Sequence, residues 1–243
     1  MNGLKNVGNT CYMNAALQLL KSVPAFVESS RRFQMFVERN DPTMPRAWVG
    51  HKHPQFRNFA QHDSHEWFLC LLDTLDADTA FQGTFEVTVT FNDCGHSNVH
   101  EETFVTISLP MVGQTMAESL HDFFTCVDAV TSTCDTCSDG RKRAASKTTK
   151  ILVLPTALVV HWKRFSRGGR KIKTRMATPP SMFGKRLRAV VNHVGERSGS
   201  GHYTACVATT DGKCSYISDE SVLRIEEKHF FKAAEAGYYM VYA

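Results

Sequence analysis

The 243-residue chain has no apolar run of the roughly 18 residues needed to cross a bilayer. Its longest candidate, 151–162, contains Pro155 and reads as buried strand with a turn. It shows no basic-then-apolar leader, no internal repeat and no low-complexity tract. It lacks a strong charge bias: 28 Lys and Arg stand against 24 Asp and Glu, a formal net charge of +4. It also lacks a disulfide pattern. Eight cysteines are irregularly spaced, which fits a reducing compartment and leads us to expect an intracellular protein of cytoplasm or nucleus. With 42% hydrophobic residues, the length suffices for one sizeable core.

What is present begins at Cys11. The stretch Gly3-Leu4-Lys5-Asn6-Val7-Gly8-Asn9-Thr10-Cys11 is a glycine- and asparagine-rich loop. The apolar-periodic Ala15, Ala16, Leu17, Leu19 and Leu20 follow at once. That pattern predicts a thiol in the first turn of a helix, where backbone N–H groups and the helix dipole favour a thiolate. A thiolate nucleophile needs a base, which can lie far away in sequence. Ser198-Gly199-Ser200-Gly201-His202-Tyr203-Thr204-Ala205 supplies one: a glycine run into a histidine that opens an alternating strand.

The periodicity predicts helices over 11–22, 61–76 and 26–39, then 116–124 and 226–235. Strands are expected at 85–91, 104–109, 150–165, 187–194, 203–208, 215–218 and 238–242. Asp63-Ser64-His65-Glu66 has the spacing of a capping box. Helices first and an antiparallel sheet later make an α+β arrangement.

Five ordered blocks give the chain a resemblance to the ubiquitin-specific protease family of papain-like cysteine deubiquitinases. They are the cysteine box; Gln61-His62-Asp63-Ser64-His65-Glu66-Trp67-Phe68; 154–165 with its Lys163-Arg164-Phe165; 189–203 ending in Gly201-His202-Tyr203; and 217–222 with a closing 236–242. The resemblance implies a papain-like fold in a single domain, 1–243. Its parts would be a helical thumb at about 1–83, β fingers at 84–150 and an antiparallel β palm at 151–243. The implied activity is a thiol protease that hydrolyses isopeptide bonds after the Gly-Gly end of ubiquitin. Cys11 is then the nucleophile and His202 the base. Asn6 falls where the family places its oxyanion-stabilising side chain; its other reading is a turn residue. The third triad position falls on Ser218, with Asp219 next to it. A subset of the family resembles this chain in using serine there. Either Ser218 or, after a one-residue shift, Asp219 orients His202, although such a shift turns a side chain to the other face.

Asp63, Glu66 and Gln61 match positions that hold the ubiquitin tail, Leu-Arg-Gly-Gly, and Gly201 and Tyr203 are candidates to wall its slot. His62 replaces the family's second glutamine. No cofactor is required for this catalysis, but fingers in the family often bind structural zinc through two Cys-x-x-Cys pairs. Here Cys134 and Cys137 form one pair. Cys94 remains of the other, with Phe91 in its partner's place, so either His96 completes a Cys₃His set or the site has lost its metal.

The expected partners are ubiquitin and ubiquitinated proteins, with no transmembrane segment and a monomeric chain. Segment 163–175 holds seven cationic side chains and no acid. Without aromatic interleaving or a nucleic-acid fold it reads as solvated loop, and no nucleic-acid partner is expected. Three alternatives stay open: a ubiquitin-binding relative with little or no activity, a protease for another ubiquitin-like modifier, and a basic, zinc-containing interaction module.

Overall fold

The computed structural model describes residues 2–77 and 79–243. Met1 and Asp78, which fall inside the expected domain 1–243, lie outside the described residues. Five helices come first: α1 (Cys11–Lys21), α2 (Pro24–Ser29), α3 (Arg31–Arg39), α4 (Thr43–Lys52) and α5 (Ser64–Leu75), with a 3₁₀ turn at Pro54–Arg57. Two more follow, α6 (Met116–Thr125) and α7 (Glu227–Ala234).

Every residue of α1 from Cys11 to Leu20 is buried, so the helix is covered on all sides. Its two polar amides donate, although Asn14 Oδ1 and Gln18 Oε1 are buried without a partner. Asn14 Nδ2 donates to Asp219 Oδ1 (2.7 Å) and Gln18 Nε2 to the Asn2 carbonyl (2.8 Å). The expected helix over 26–39 is two helices. The break is at Ser30, which is extended and whose hydroxyl accepts from the Phe33 N–H to start α3. α4 was not expected, because Pro45 and Gly50 weaken its helical signal. α5 begins at Ser64 rather than Gln61, since Asp63 is its N-cap. The expected capping box there is only half made, with no return bond from Glu66. The reciprocal box is Thr115 with Glu118, on α6.

The strands are β1 (Gly83–Phe91), β2 (Ser97–Phe104), β3 (Thr106–Leu109), β4 (Asp128–Thr133), β5 (Lys142–Val153) and β6 (Leu158–Trp162). They continue as β7 (Ser181–Met182), β8 (Lys185–Arg197), β9 (Ser200–Ala208), β10 (Cys214–Ser218), β11 (Ser221–Ile225) and β12 (Tyr239–Tyr242). One four-stranded sheet has the order β2-β1-β5-β4; an eight-stranded sheet has the order β11-β10-β9-β8-β12-β6-β3 with β7 on β8. Two expected single strands each divide between the sheets. Phe104 ends β2 in the smaller sheet while Thr106 starts β3 in the larger, and 150–165 splits into β5 and β6 around Pro155. The larger sheet also departs from the antiparallel expectation at its edge, where β3 runs parallel to β6.

The central strands of the larger sheet are buried on both faces, and strand alternation divides their side chains between two cores. Val159, Val191, Ala205, Ile217 and Val241 face α1 and α5. Val160, Val190, Cys206 and Met240 face the other way, with Phe230 of α7. Arg164 is buried without a carboxylate. Its guanidinium donates to the carbonyls of Gly237 (2.7 Å), Glu235 (3.0 Å), Thr174 (2.7 Å) and Ile172 (3.1 Å). It thereby pins loop 165–175 to the entrance of β12, and burial lowers its pKa to about 10.

Candidate active site

Cys11 opens α1, and its thiol lies at the backbone N–H of Tyr203, the residue after His202. The thiol was expected to be activated by its helical position. Burial instead pushes its pKa up, and nearby Asp219 adds to the rise. The N–H groups of Tyr203, Tyr12 and Cys11 pull the other way without prevailing. The resting thiol therefore stays protonated and needs a base.

His202 stands on β9, and its Nε2 lies 2.8 Å from Ser218 Oγ on β10. The sheet register explains this pairing. Ile217 is opposite Ala205, so Ser218 lies diagonal to His202 on the same face of the sheet. Asp219 comes one residue later, in the left-handed region (φ 50°) of the turn between β10 and β11. Its carboxylate meets the cysteine loop instead of His202. Oδ2 accepts from Asn6 Nδ2 (2.9 Å) and Oδ1 from Asn14 Nδ2 (2.7 Å), while its carbonyl accepts from Leu4 N–H (2.8 Å). Asn6 makes the bonds of its turn reading, its Oδ1 accepting from the N–H groups of Gly8 and Thr10 (3.1 Å each), while its amide nitrogen donates to Asp219.

A second brace holds the same loop from outside. Arg46 donates to the carbonyls of Val7 (3.0 Å) and Asn58 (3.1 Å) and lies over the Phe59 ring (4.1 Å). Phe59 in turn fills the space where Gly8, at φ 105°, has no Cβ.

The candidate tail-binding residues divide. Gln61 is spent on the histidine loop: its amide exchanges two 3.0 Å bonds with the backbone of Gly201. Gly201 has φ 149°, and a Cβ there would fall 2.5 Å from both His193 Nε2 and the Val194 carbonyl. Asp63 caps α5 through Oδ1, accepting from His65 N (2.8 Å) and Glu66 N (2.9 Å). Its Oδ2 accepts from Tyr238 OH (2.6 Å) and Tyr203 OH (3.4 Å). Burial and the Asp63 charge raise both phenols, so they stay protonated donors. Glu66 is exposed and makes no side-chain bond among the described residues. His62 bonds Asn58 Oδ1 (2.8 Å) and packs on Tyr12 and Phe56. His65 stacks on His161 (centroids 4.0 Å apart, planes 2°), and burial lowers its pKa to about 4.

Sequence reasoning assigned no role to Asn14, Arg46 or Tyr238. Asn14 had a signal, a polar residue three places into a helix whose buried stretch has one other amide, Gln18. Arg46 had none, because its helix was itself unforeseen.

A separate cluster lies at one end of the four-stranded sheet, where the β1–β2 turn brings Cys94 and His96 to the β4–β5 turn with Cys134 and Cys137. Their ligand atoms all lie within 4.8 Å of one another. Cys94 Sγ is 3.8 Å from Cys134 Sγ, and His96 Nδ1 is 3.7 and 3.6 Å from the sulfurs of Cys134 and Cys137. Those separations are the edges of a tetrahedron with metal–sulfur bonds of about 2.3 Å. The Cys134 thiol is lowered to about 7: its burial is outweighed by the Cys137 N–H and by His96 and the neighbouring thiols. Cys137 is raised to about 11 by the sulfurs of Cys134 and Cys94. One thiol already near ionisation in a four-donor set fits zinc, which the four residues could hold as a structural ion. Phe91 is buried in the core beneath the cluster.

Comparisons with known proteins agree with this geometry. A family model described as "Ubiquitin carboxyl-terminal hydrolase" matches residues 2–242. Ubiquitin C-terminal hydrolase 22 of Arabidopsis thaliana is 24% identical over an alignment covering 100% of this chain and 58% of the relative. Ubiquitin carboxyl-terminal hydrolase 24 of Homo sapiens is 27% identical over 70% of this chain and 8% of the relative. The chain thus spans less than two thirds of the length of these curated relatives. Among solved structures, the SAGA Ubp8/Sgf11/Sus1/Sgf73 DUB module bound to ubiquitin aldehyde has a chain that superposes with a TM-score of 0.82. It is 19% identical, over 100% of this chain and 69% of that one. That likeness speaks for the fold. With a family model matching all but the terminal residues, the chain belongs to the ubiquitin carboxyl-terminal hydrolase family.

Proposed function

We propose that the protein is a thiol-dependent deubiquitinase that hydrolyses the isopeptide bond after the Gly-Gly end of ubiquitin. One observation carries the reading: the thiol of Cys11 lies beside the strand start that presents His202, whose Nε2 is 2.8 Å from Ser218 Oγ. In this reading His202 carries its proton on Nε2 and donates it to Ser218, which leaves the lone pair of Nδ1 to take the thiol proton. The sulfur attacks the terminal glycine carbonyl. The tetrahedral oxyanion is met by the Cys11 backbone N–H and by the second N–H of Asn6 Nδ2, whose first N–H is held by Asp219. Collapse expels the lysine amine, protonated by His202, and leaves a thioester. Water, deprotonated by the same histidine, releases the glycine carboxylate and restores the thiol.

Ser218 carries no charge, so it orients the ring without stabilising the imidazolium as a carboxylate does. Asp63 is committed to the cap and the two phenols. The free carboxylate of Glu66 is therefore the better partner for the tail arginine. We read the helices before β1 as thumb, the smaller sheet as fingers and the larger as palm. The partners are ubiquitin and ubiquitinated proteins, in a compartment that keeps the eight unpaired thiols reduced.

The test is a ubiquitin probe with a C-terminal electrophile. We expect a covalent adduct with the wild type and none with Cys11→Ala. Folded wild type that ignores the ubiquitin probe but reacts with one built on a ubiquitin-like protein would transfer the activity to that modifier. No adduct with any probe would leave a binding protein.

A further inference from the structure

Helix α4 and the 3₁₀ turn that follows it border a cavity of about 410 Å³ that the mechanism does not use. Small-molecule sites typically measure about 300–1,000 Å³ and join an apolar lining to a few placed polar groups. Here the buried ring of Phe56, with Ala47 and Gly50, supplies the apolar lining, and Arg46 and Arg57 supply the charge.

The two arginines are fixed by main-chain carbonyls instead of carboxylates. Arg46 donates to Val7 (3.0 Å) and Asn58 (3.1 Å), and Arg57 to Gly50 (2.6 Å) and His51 (3.2 Å). With two of the five N–H donors of each guanidinium so used, the others have no protein acceptor among the described residues. Gly50 lets Arg57 lie close against α4, since a Cβ there would come within 3.3 Å of Arg57 Cγ. The acids of this region are committed elsewhere. Asp41 Oδ1 accepts from the N–H (2.9 Å) and hydroxyl (2.7 Å) of Thr43, and Asp73 pairs with Lys52 and His53. Both arginine charges are thus held in place, next to an apolar surface, without a counter-ion.

We infer that this cavity binds a small organic anion with an apolar body, a carboxylate or phosphate ester whose ring or chain lies on Phe56 and whose charge takes the free donors of Arg46 and Arg57. Guanidinium forks take carboxylate and phosphate oxygens in pairs. The ligand would sit behind the cysteine loop. Arg46 holds Val7, four residues before Cys11, and Phe56 packs on Tyr12, the residue after it (ring centroids 6.3 Å apart). Occupancy is therefore felt on both flanks of the thiol, and the site stands whether or not Cys11 is active.

The test is titration of ¹⁵N-labelled protein with phenyl phosphate. Inorganic phosphate and benzyl alcohol serve as probes of the charge alone and the body alone. Saturable binding in the millimolar range or tighter is expected for phenyl phosphate. Amide shifts should centre on Ala47, Gly50 and Phe56 and reach Val7 and Tyr12, and each partial probe should bind at least about tenfold more weakly. Arg57→Gln should weaken phenyl phosphate about tenfold. Ala47→Leu, at an exposed helical position that leucine suits, should fill the cavity and abolish binding. Both variants should react with the ubiquitin probe as the wild type does. Inorganic phosphate binding as tightly as phenyl phosphate would mean an adventitious ion only and overturns the inference. So do shifts centred on another part of the molecule, a titration that never saturates, or two folded variants that bind like the wild type. None of these outcomes depends on whether the wild type reacts with the ubiquitin probe.

Discussion

Asp219→Ala separates the two acidic-turn residues by effect. The carboxylate accepts from Asn6 and Asn14 at 2.9 and 2.7 Å, and bonds to a charged group contribute about 1.5–3 kcal/mol each when well buried. Asp219 is half-buried, so the two together should lower stability by about 2–3 kcal/mol. The larger effect is on turnover. Losing an oxyanion donor outright costs about 2.7–4 kcal/mol. Asn6 keeps its Oδ1 bonds to Gly8 and Thr10, so it is loosened rather than lost. We expect kcat to fall about 30- to 100-fold with KM within about threefold. Ser218→Ala removes one neutral bond from His202, about 0.5–1.5 kcal/mol, or about 3- to 10-fold in kcat. In a double-mutant cycle, Asp219→Ala should add little to Asn6→Ala, since one acts through the other. Steady-state kinetics on ubiquitin–fluorophore and urea unfolding of each variant suffice. The reasoning is refuted if Ser218→Ala is the more damaging, or if the Asp219 and Asn6 effects simply add.

Zinc removal and acid address other parts of the molecule. Stoichiometric zinc should be found in protein grown with the metal, and chelation should lower Tm by about 10 °C, equivalent to about 3 kcal/mol or more; Cys134→Ser should remove both the metal and the chelator effect. Burial holds His65, His161 and His193 at about 4, 3 and 4 against the usual 6.5. The unfolded chain then binds more protons, so stability should be full above about pH 6.5 and fall towards pH 4, His65 alone accounting for about 3 kcal/mol. A urea midpoint that is flat or rises between pH 7.5 and 5 would contradict this.

The ends of the chemistry were legible in the sequence because each sits in a local signal. Cys11 follows a turn-rich loop and precedes an apolar helix, and His202 follows glycines that open a strand. The choice between Ser218 and Asp219 was not legible, since it depends on the register of β10 against β9, a long-range fact that no local pattern encodes. Asp63 and Gln61 were singled out as candidates for the tail, without the bonds they make inside the protein. Their partners, Tyr238 and Gly201, lie far along the chain. The break at Val105 and the parallel β3–β6 pair were hidden because an alternating run looks the same whether one sheet or two receive it.

The bracket that joins Leu4, Asn6 and Asn14 to Asp219 has a temporal consequence. Its halves are made at opposite times during synthesis, and every contact in it closes a loop of some two hundred residues. Such closures carry a large entropy cost and come late in folding. A nascent chain therefore exposes Cys11 as an ordinary thiol long before His202 and the turn after β10 have emerged, and the arrangement around it is complete only when that turn has locked onto the loop.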